Sequence, residues 1–300
     1  MRVSNPVIKQ ALNRIGFFQS MEQSAVAASN TMMPIVFVHV PKCGGSALRE
    51  ALLKVCGPRA TTIDSRASRK ATQMPLQQDV ATGMALTHRD CFPQLVAILG
   101  YLLYDDYDFV HGHVPVNRHL MDEFAESHQF VTVLRDPVER WISNYRFDKV
   151  RNLKPERLPW RDNTGQLKDE LMQVIRSDRG IELARIYTWM LGGIEGGEIG
   201  SAGAIEVAKQ NLSKFSYVCT SEDWTPLIDR FQQRHNVTIQ PVIRNTTSSR
   251  ELDSGRAYDV RGAIDDEVIG ELEAICSQDR EIYDFCKTLC TDNATDYLST

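Results

Sequence analysis

The chain has 300 residues, 42% of them hydrophobic, and a formal net charge of −5, which suits one large α/β domain with small additions and a sizeable core. No overall basic field favours nucleic acid as a partner, and no apolar run approaches the roughly 20 residues of a membrane span. Seven cysteines without a C-x-x-C pair give no support to a zinc ribbon or a thioredoxin-type motif.

Residues 1–33 read as an N-terminal extension. Val7, Ile8, Ala11, Leu12 and Ile15 have helical spacing, and a small, polar, linker-like stretch follows them. The start lacks the apolar centre of a signal peptide. The main domain is expected over 34–290, with a short tail over 291–300.

Residues 35–50 are the stretch around which the domain is organised. The β-branched run Ile35-Val36-Phe37-Val38 leads through His39-Val40 into Pro41-Lys42-Cys43-Gly44-Gly45-Ser46-Ala47, and a helix-forming segment follows. That order predicts a strand, a tight loop and a helix. A helix opening gathers unpaired N–H groups and the positive end of the helix dipole, so it suits an anion. Gly44 and Gly45 let the backbone approach a phosphate, Lys42 adds a mobile positive charge, and Ser46 can cap the helix. The loop is not a Walker A motif, because its lysine precedes the glycine pair instead of following the last glycine. A plain strand–turn–helix with a surface lysine explains this stretch alone equally well.

Leu48, Ala51, Leu52 and Val55 make one apolar helix stripe that Gly57-Pro58 stops. Residues 59–75 are polar, with Arg59, Arg66, Arg69 and Lys70, and read as a solvated basic loop or a segment beside an acceptor. A buried helix is predicted over 92–104, then a strand over 107–115 containing His111-Gly112-His113. Residues two apart on a strand share a face, so both histidines can face one site. A metal pair there would need further ligands, and none stands at helpful spacing.

The run Phe130-Val131-Thr132-Val133-Leu134 predicts another buried strand, closed by Arg135-Asp136-Pro137. Asp136 suits an N-cap, Pro137 the first helical position, and Glu139 the capping-box spacing. Arg135 then ends a strand, and Ser143 lies about two turns into the next helix; together they can clamp a second phosphate. Over 140–161 the positive residues Arg140, Arg146, Lys149, Arg151, Lys154, Arg157 and Arg161 make either a solvated helix face or a patch for an anionic ligand.

Residues 162–214 read as mainly helical, interrupted by a glycine-rich break over 191–197 that suggests a flexible loop near an acceptor. That break is not a nucleotide fingerprint, because no strand precedes it. A helix over 204–212, a strand over 215–219 and a helix over 224–235 follow. The apolar positions from Ile264 to Phe285 trace a long amphipathic helix or a broken pair. Cys286 and Cys290 share a helix face and read as buried thiols, or as disulfide partners in a secreted protein.

The two strand-to-helix stretches, taken together, resemble the sulfotransferases that use 3′-phosphoadenosine 5′-phosphosulfate (PAPS). That family's 5′-phosphosulfate loop reads roughly Pro-Lys-Thr-Gly-Gly-Thr-Ser, and its 3′-phosphate motif is an arginine closing a strand with a serine eight positions later, the spacing of Arg135 and Ser143. The run from Arg135 to Tyr145 looks most like the carbohydrate branch, which includes the heparan sulfate 2-O-sulfotransferases. The resemblance implies an α/β, P-loop-like three-layer domain with a central parallel sheet flanked by helices. It implies that Lys42, Cys43, Gly44, Gly45, Ser46, Ala47, Arg135 and Ser143 bind PAPS and its product adenosine 3′,5′-bisphosphate, with Arg244, Asn245 and Thr246 in a loop that closes over the 3′ side. His113 would be the general base, His111 would position the acceptor, and Lys42 would neutralise the leaving group, with no metal required. The acceptor would be a saccharide or another hydroxyl compound (a small alcohol, a lipid or a protein tyrosine), with the saccharide favoured by the second motif and anionic if the basic patch serves it. Cys43 and Ala47 depart from the family's hydroxyl residues, so weaker donor binding is expected. The compartment expected is the cytoplasm of a bacterium, or the Golgi lumen if a membrane anchor is missing. Two other classes remain: a P-loop-like kinase, and a non-catalytic module that binds PAPS or a glycan.

Overall fold

The computed structural model describes residues 32–74, 88–150, 167–241 and 263–295. Among these, five parallel strands form one sheet in the order β2-β3-β1-β4-β5: β1 Ile35–Val38, β2 Ala60–Ile63, β3 Phe109–Gly112, β4 Gln129–Leu134 and β5 Tyr217–Thr220. The helices that flank it are α1 Gly45–Leu53, α2 Ser65–Gln73, α3 His88–Leu103, α4 Arg118–Phe124, α5 Pro137–Val150, α6 Leu167–Ile175, α7 Asp178–Ala184, α8 Ala202–Ser213, α9 Thr225–His235, α10 Asp266–Ile275 and α11 Ser277–Thr295, with a π-helical turn at Thr188–Gly192. No helix of the described residues is long and apolar enough to cross a membrane. The predicted N-terminal helix and Arg244, Asn245 and Thr246 lie outside the described residues.

Every residue of β1, β3, β4 and β5 is buried, as expected of parallel strands covered on both faces. Thr132 and Gln129 of β4 find partners for their buried polar groups. The Thr132 hydroxyl donates to the Val38 carbonyl at 2.9 Å, and the Gln129 amide donates to Met33 O at 2.9 Å. Strand β1 is central, paired with β3 from Ile35↔Phe109 and with β4 from Ile35↔Gln129. The carboxyl ends of β1, β3 and β4 therefore stand side by side at the point where the chain changes direction across the sheet, the usual place for a ligand in an open α/β sheet.

Two expectations change here. The polar segment over 59–75 is not a loop. It supplies edge strand β2, paired with β3 from Ala60↔Phe109, and helix α2, whose N-cap Asp64 accepts from the Arg66 and Ala67 N–H groups. Arg140 is no part of a surface patch: it is fully buried, and its guanidinium donates to the Leu183 carbonyl. Residues 151–161 of the predicted basic region lie outside the described residues. The C-terminal apolar stretch resolves into the broken pair α10 and α11. All seven cysteines are free, and Cys286 and Cys290 set their thiols on the Cys219 and Val218 carbonyls of β5.

A second, smaller core under α5 joins Trp141, Tyr145, Leu171, Ile175, Val268 and Leu272. Where the two cores meet, Asp279 of α11 is fully buried. Its carboxylate accepts from the Tyr187 N–H at 2.8 Å and from both the N–H and the hydroxyl of Thr188 at 3.0 Å. Burial pushes its pKa up to about 6, against the pull of the nearby Arg140 charge and those donors. Replacing Asp279 with Ala would strand all three donors and leave Arg140 uncompensated. The expected loss is about 3–5 kcal/mol, read as a shift of the urea unfolding midpoint; an unchanged midpoint would contradict this account of the network.

Candidate functional site

Pro41 ends the strand direction of β1, and the loop then turns through two left-handed residues, Lys42 at φ 70° and Gly44 at φ 79°. Gly44 takes that conformation without strain, whereas Lys42 carries a Cβ and is held there by the surrounding fold. Gly44 is also the N-cap of α1, and no side chain caps it. Ser46 is therefore not the cap; it sits exposed in the first turn of the helix. The N–H groups of Gly44, Gly45 and Ser46 open α1 at the carboxyl edge of the sheet, a cradle for an anion. Gly45 has its own constraint: a Cβ there would stand 2.6 Å from His39 Cδ2 and 2.8 Å from Phe37 Cζ.

Cys43 and Ala47, the two departures from the family loop, are both buried. The Cys43 thiol lies 3.5 Å from the Tyr187 hydroxyl and on the Pro41 carbonyl. Burial pushes its pKa up to about 11, so it stays a thiol. Its side chain serves the core, and the donors that the loop leaves for a ligand are backbone groups.

Lys42 reaches across to α5. Its ammonium lies 4.0 Å over the ring of Phe147, one turn beyond the half-buried Ser143. At the start of α5, Asp136 accepts from the Val138 and Glu139 N–H groups at 3.0 and 3.1 Å, the predicted N-cap. Asp136 also pairs with Arg280 of α11. Burial works against its charge, but Arg280 and the helix N–H groups prevail and hold its carboxyl below the usual range. Glu139, instead of closing a capping box, pairs with the Arg135 guanidinium at 3.1 Å. Lys42, Arg135 and Ser143 are thus brought to one end of the sheet.

The histidines form a cluster of three, and sequence reasoning found only two of them. His39 follows β1, and its ring centroid lies 4.5 Å from that of His113 and 5.2 Å from that of His111. His113 Nδ1 is 2.6 Å from the His39 backbone carbonyl. A carbonyl only accepts, so Nδ1 carries the proton and Nε2 keeps a free lone pair. Burial lowers the His113 pKa, partly offset by that hydrogen bond, which leaves a neutral imidazole at pH 7.

His111 sits deeper. It is buried, its Nε2 is 3.0 Å from His39 Nδ1, and its own Nδ1 is buried without a partner. The pairing that leaves only a lone pair unmet has His111 Nε2–H donating to His39. His111 therefore supports His39 from beneath, and its role in positioning an acceptor, which the resemblance implies, would act through that ring. Burial is the main cause that lowers its pKa to about 3, with the Arg49 charge next. The pKa of His39 is pushed well below its ordinary value, first by burial and then by His113, His111 and Arg49. Among the described residues, no group of three or more His, Cys, Asp and Glu side chains is placed to hold a metal ion.

Two further residues were missed. Tyr187, ahead of the π-helical turn, puts its hydroxyl between Cys43 and Arg135. Trp224, beyond β5, lays its ring against the loop: its Cζ2 would be 3.4 Å from a Cβ on Gly44, and its Nε1 is buried without a partner. An aromatic residue just past a strand end was the only signal for Trp224. The glycine-rich stretch begins inside the π-helical turn, so no strand precedes it.

These elements define an α/β protein whose candidate site lies at the carboxyl end of a five-stranded parallel sheet. No protein-family model matches the chain, and neither does any curated protein.

The histidines set the sign of the acid response. Each has a folded pKa below its unfolded value near 6.5, so the unfolded chain binds more protons below that pH. Their contribution to stability is then lost as pH falls from about 6.5 toward 3. His111→Asn is expected to flatten this fall, measured as the difference in urea midpoint between pH 7 and pH 4.5. An equal difference in both proteins would mean that His111 is not buried in its neutral form.

Proposed function

We propose that this chain transfers a sulfuryl group from PAPS to a hydroxyl of a saccharide acceptor. The observation that carries this reading is the convergence of Lys42, His113 and Arg135 at the carboxyl ends of the adjacent strands β1, β3 and β4, on the two motifs that resemble the family's. The fit to the donor rests on the chain's own groups. The Gly44–Gly45 turn presents backbone donors with no side-chain cap in the way. A second cation follows β4, and an indole with an unpartnered buried N–H lies against the loop. The sheet order, with the anion loop after its central strand, supports a P-loop-like reading of the fold. Seven free thiols fit a reducing compartment such as a bacterial cytoplasm.

The roles follow from chemistry. The N–H groups of Gly44, Gly45 and Ser46 hold the 5′-phosphate. Arg135 and Ser143 take the 3′-phosphate. PAPS supplies the sulfuryl group and leaves as adenosine 3′,5′-bisphosphate. His113 Nε2 accepts the proton of the acceptor hydroxyl, and its neutral, Nδ1-protonated form is the one suited to that task. Lys42 meets the negative charge that grows on the departing phosphate oxygen. A lysine that precedes the glycine pair speaks against the phosphoryl transfer of a Walker-type kinase.

Calorimetric titration tests the donor class. Micromolar binding of adenosine 3′,5′-bisphosphate that exceeds binding of ADP, or of ATP with Mg²⁺, is expected; a preference for ATP would overturn the reading. Arg135→Ala should weaken that binding by about tenfold or more, the loss of one charge-assisted contact, with folding retained. His113→Ala should bind the bisphosphate normally and lose turnover by about 10²–10⁴-fold; full turnover with a true acceptor would remove His113 as the base.

A further inference from the structure

Tyr187 is fully buried, one residue ahead of the π-helical turn. Its hydroxyl uses its whole hydrogen-bonding capacity on two other segments. It donates to the Arg135 carbonyl and accepts from the Arg135 N–H at 3.1 Å. With its one proton so placed, the remaining contact, 3.5 Å to Cys43 Sγ, has the thiol as donor, its one S–H shared between this oxygen and the Pro41 carbonyl at 3.8 Å. Cys43 belongs to the junction between β1 and α1, and Arg135 to the junction between β4 and α5. A single oxygen therefore joins the two strand-to-helix junctions from below.

The tyrosine is in turn held in place. Its N–H is bound by Asp279 of α11, which also binds Thr188 twice. The guanidinium of Arg140, on α5, lies 5.7 Å from its ring centre. The hydroxyl can shift only if this buried support shifts with it. Sequence pattern gives no hint of the arrangement, because Tyr187, Asp279 and Arg140 are far apart in the chain and nothing in their local pattern pairs them.

We infer that Tyr187 is a positioning residue that fixes the separation of the 42–46 loop and the Arg135 junction, so that a ligand with two anionic groups meets both at once. The choice of a nucleotide bisphosphate as that ligand rests on the proposed function; the mechanical link between the junctions does not. A preset separation favours the two-point ligand because the chain pays no ordering entropy when the second group docks.

The test is Tyr187→Phe, which keeps the ring and removes the joining oxygen. Amide hydrogen exchange should accelerate more than tenfold at Ala47, whose N–H is bound by the Gly44 carbonyl, and at Arg135, whose N–H is bound by the Tyr187 hydroxyl, while the amides of β1 and β4 keep their wild-type rates. Affinity for adenosine 3′,5′-bisphosphate should fall at least tenfold and that for adenosine 5′-monophosphate less than threefold. A residue with a merely structural role would weaken both nucleotides by the same factor, and that result overturns the inference, as does exchange that stays unchanged or rises at one junction alone. If the wild type binds neither nucleotide while the two junctions still loosen together, the sulfotransferase reading fails and the link stands. Cys43→Ala removes only the thiol arm and decides the matter even if Tyr187→Phe does not fold. It should speed exchange at Ala47 and leave Arg135 unchanged; unchanged exchange at Ala47 overturns the link.

Discussion

The Asp279 carboxyl group has no access to water, and a group of that kind is tolerated only where the chain supplies its hydrogen bonds. Three donors from Tyr187 and Thr188 do so, and the cost is a constraint on backbone. Residues 187 and 188 must enter the π-helical turn with their N–H groups aimed at α11. That orientation sends the Tyr187 side chain toward the sheet, where its hydroxyl reaches Arg135 and Cys43. A buried charge in the helical layer thus determines what lies beneath the cleft. Asp136 performs the same kind of task nearer the surface, capping α5 and pairing with Arg280 of the same long helix.

Much of the fold was legible because its signals were local. The continuous apolar runs of β1 and β4 could only be strands buried on both faces, and Asp136-Pro137 marks a helix start by its own backbone chemistry. Strand β2 was illegible for the complementary reason. It lies at the sheet edge, with one neighbour, and of Ala60, Thr61, Thr62 and Ile63 only Ile63 is buried. Its register comes from β3, so nothing in its own pattern announces a strand. Arg140 misled for a related reason. A charge among other charges reads as surface, and only the packing of α5 on α7 reveals that this one is enclosed.

The candidate site divides along the same line. Lys42, Gly44, Gly45, Arg135 and His113 stand at junctions that the sequence spells out, whereas His39, Tyr187 and Trp224 matter through neighbours distant in the chain. His39 shows the difference most directly. Its ring is in reach of Gly45 because that glycine has no Cβ, and of His111 and His113 because β3 pairs with β1 in register from Phe109. A single-sequence reading has no access to either fact.

The electrostatics of the cleft favour a particular division of labour. Lys42, Arg49 and Arg135 bring positive charge to one end of the sheet, and a fourth cation there would be repelled by the others. Burial, then the neighbouring His113 and His111 and the Arg49 charge, keep His39 neutral; burial and then Arg49 do so for His111, and burial alone for His113. A neutral His113 with its proton fixed on Nδ1 can take a proton from a hydroxyl; a charged one could only add to the anion clamp. The proposed chemistry needs both functions at one end of the sheet, cations for the phosphates and an uncharged base for the acceptor. The desolvation that makes three adjacent histidines costly to protonate is what keeps those functions separate.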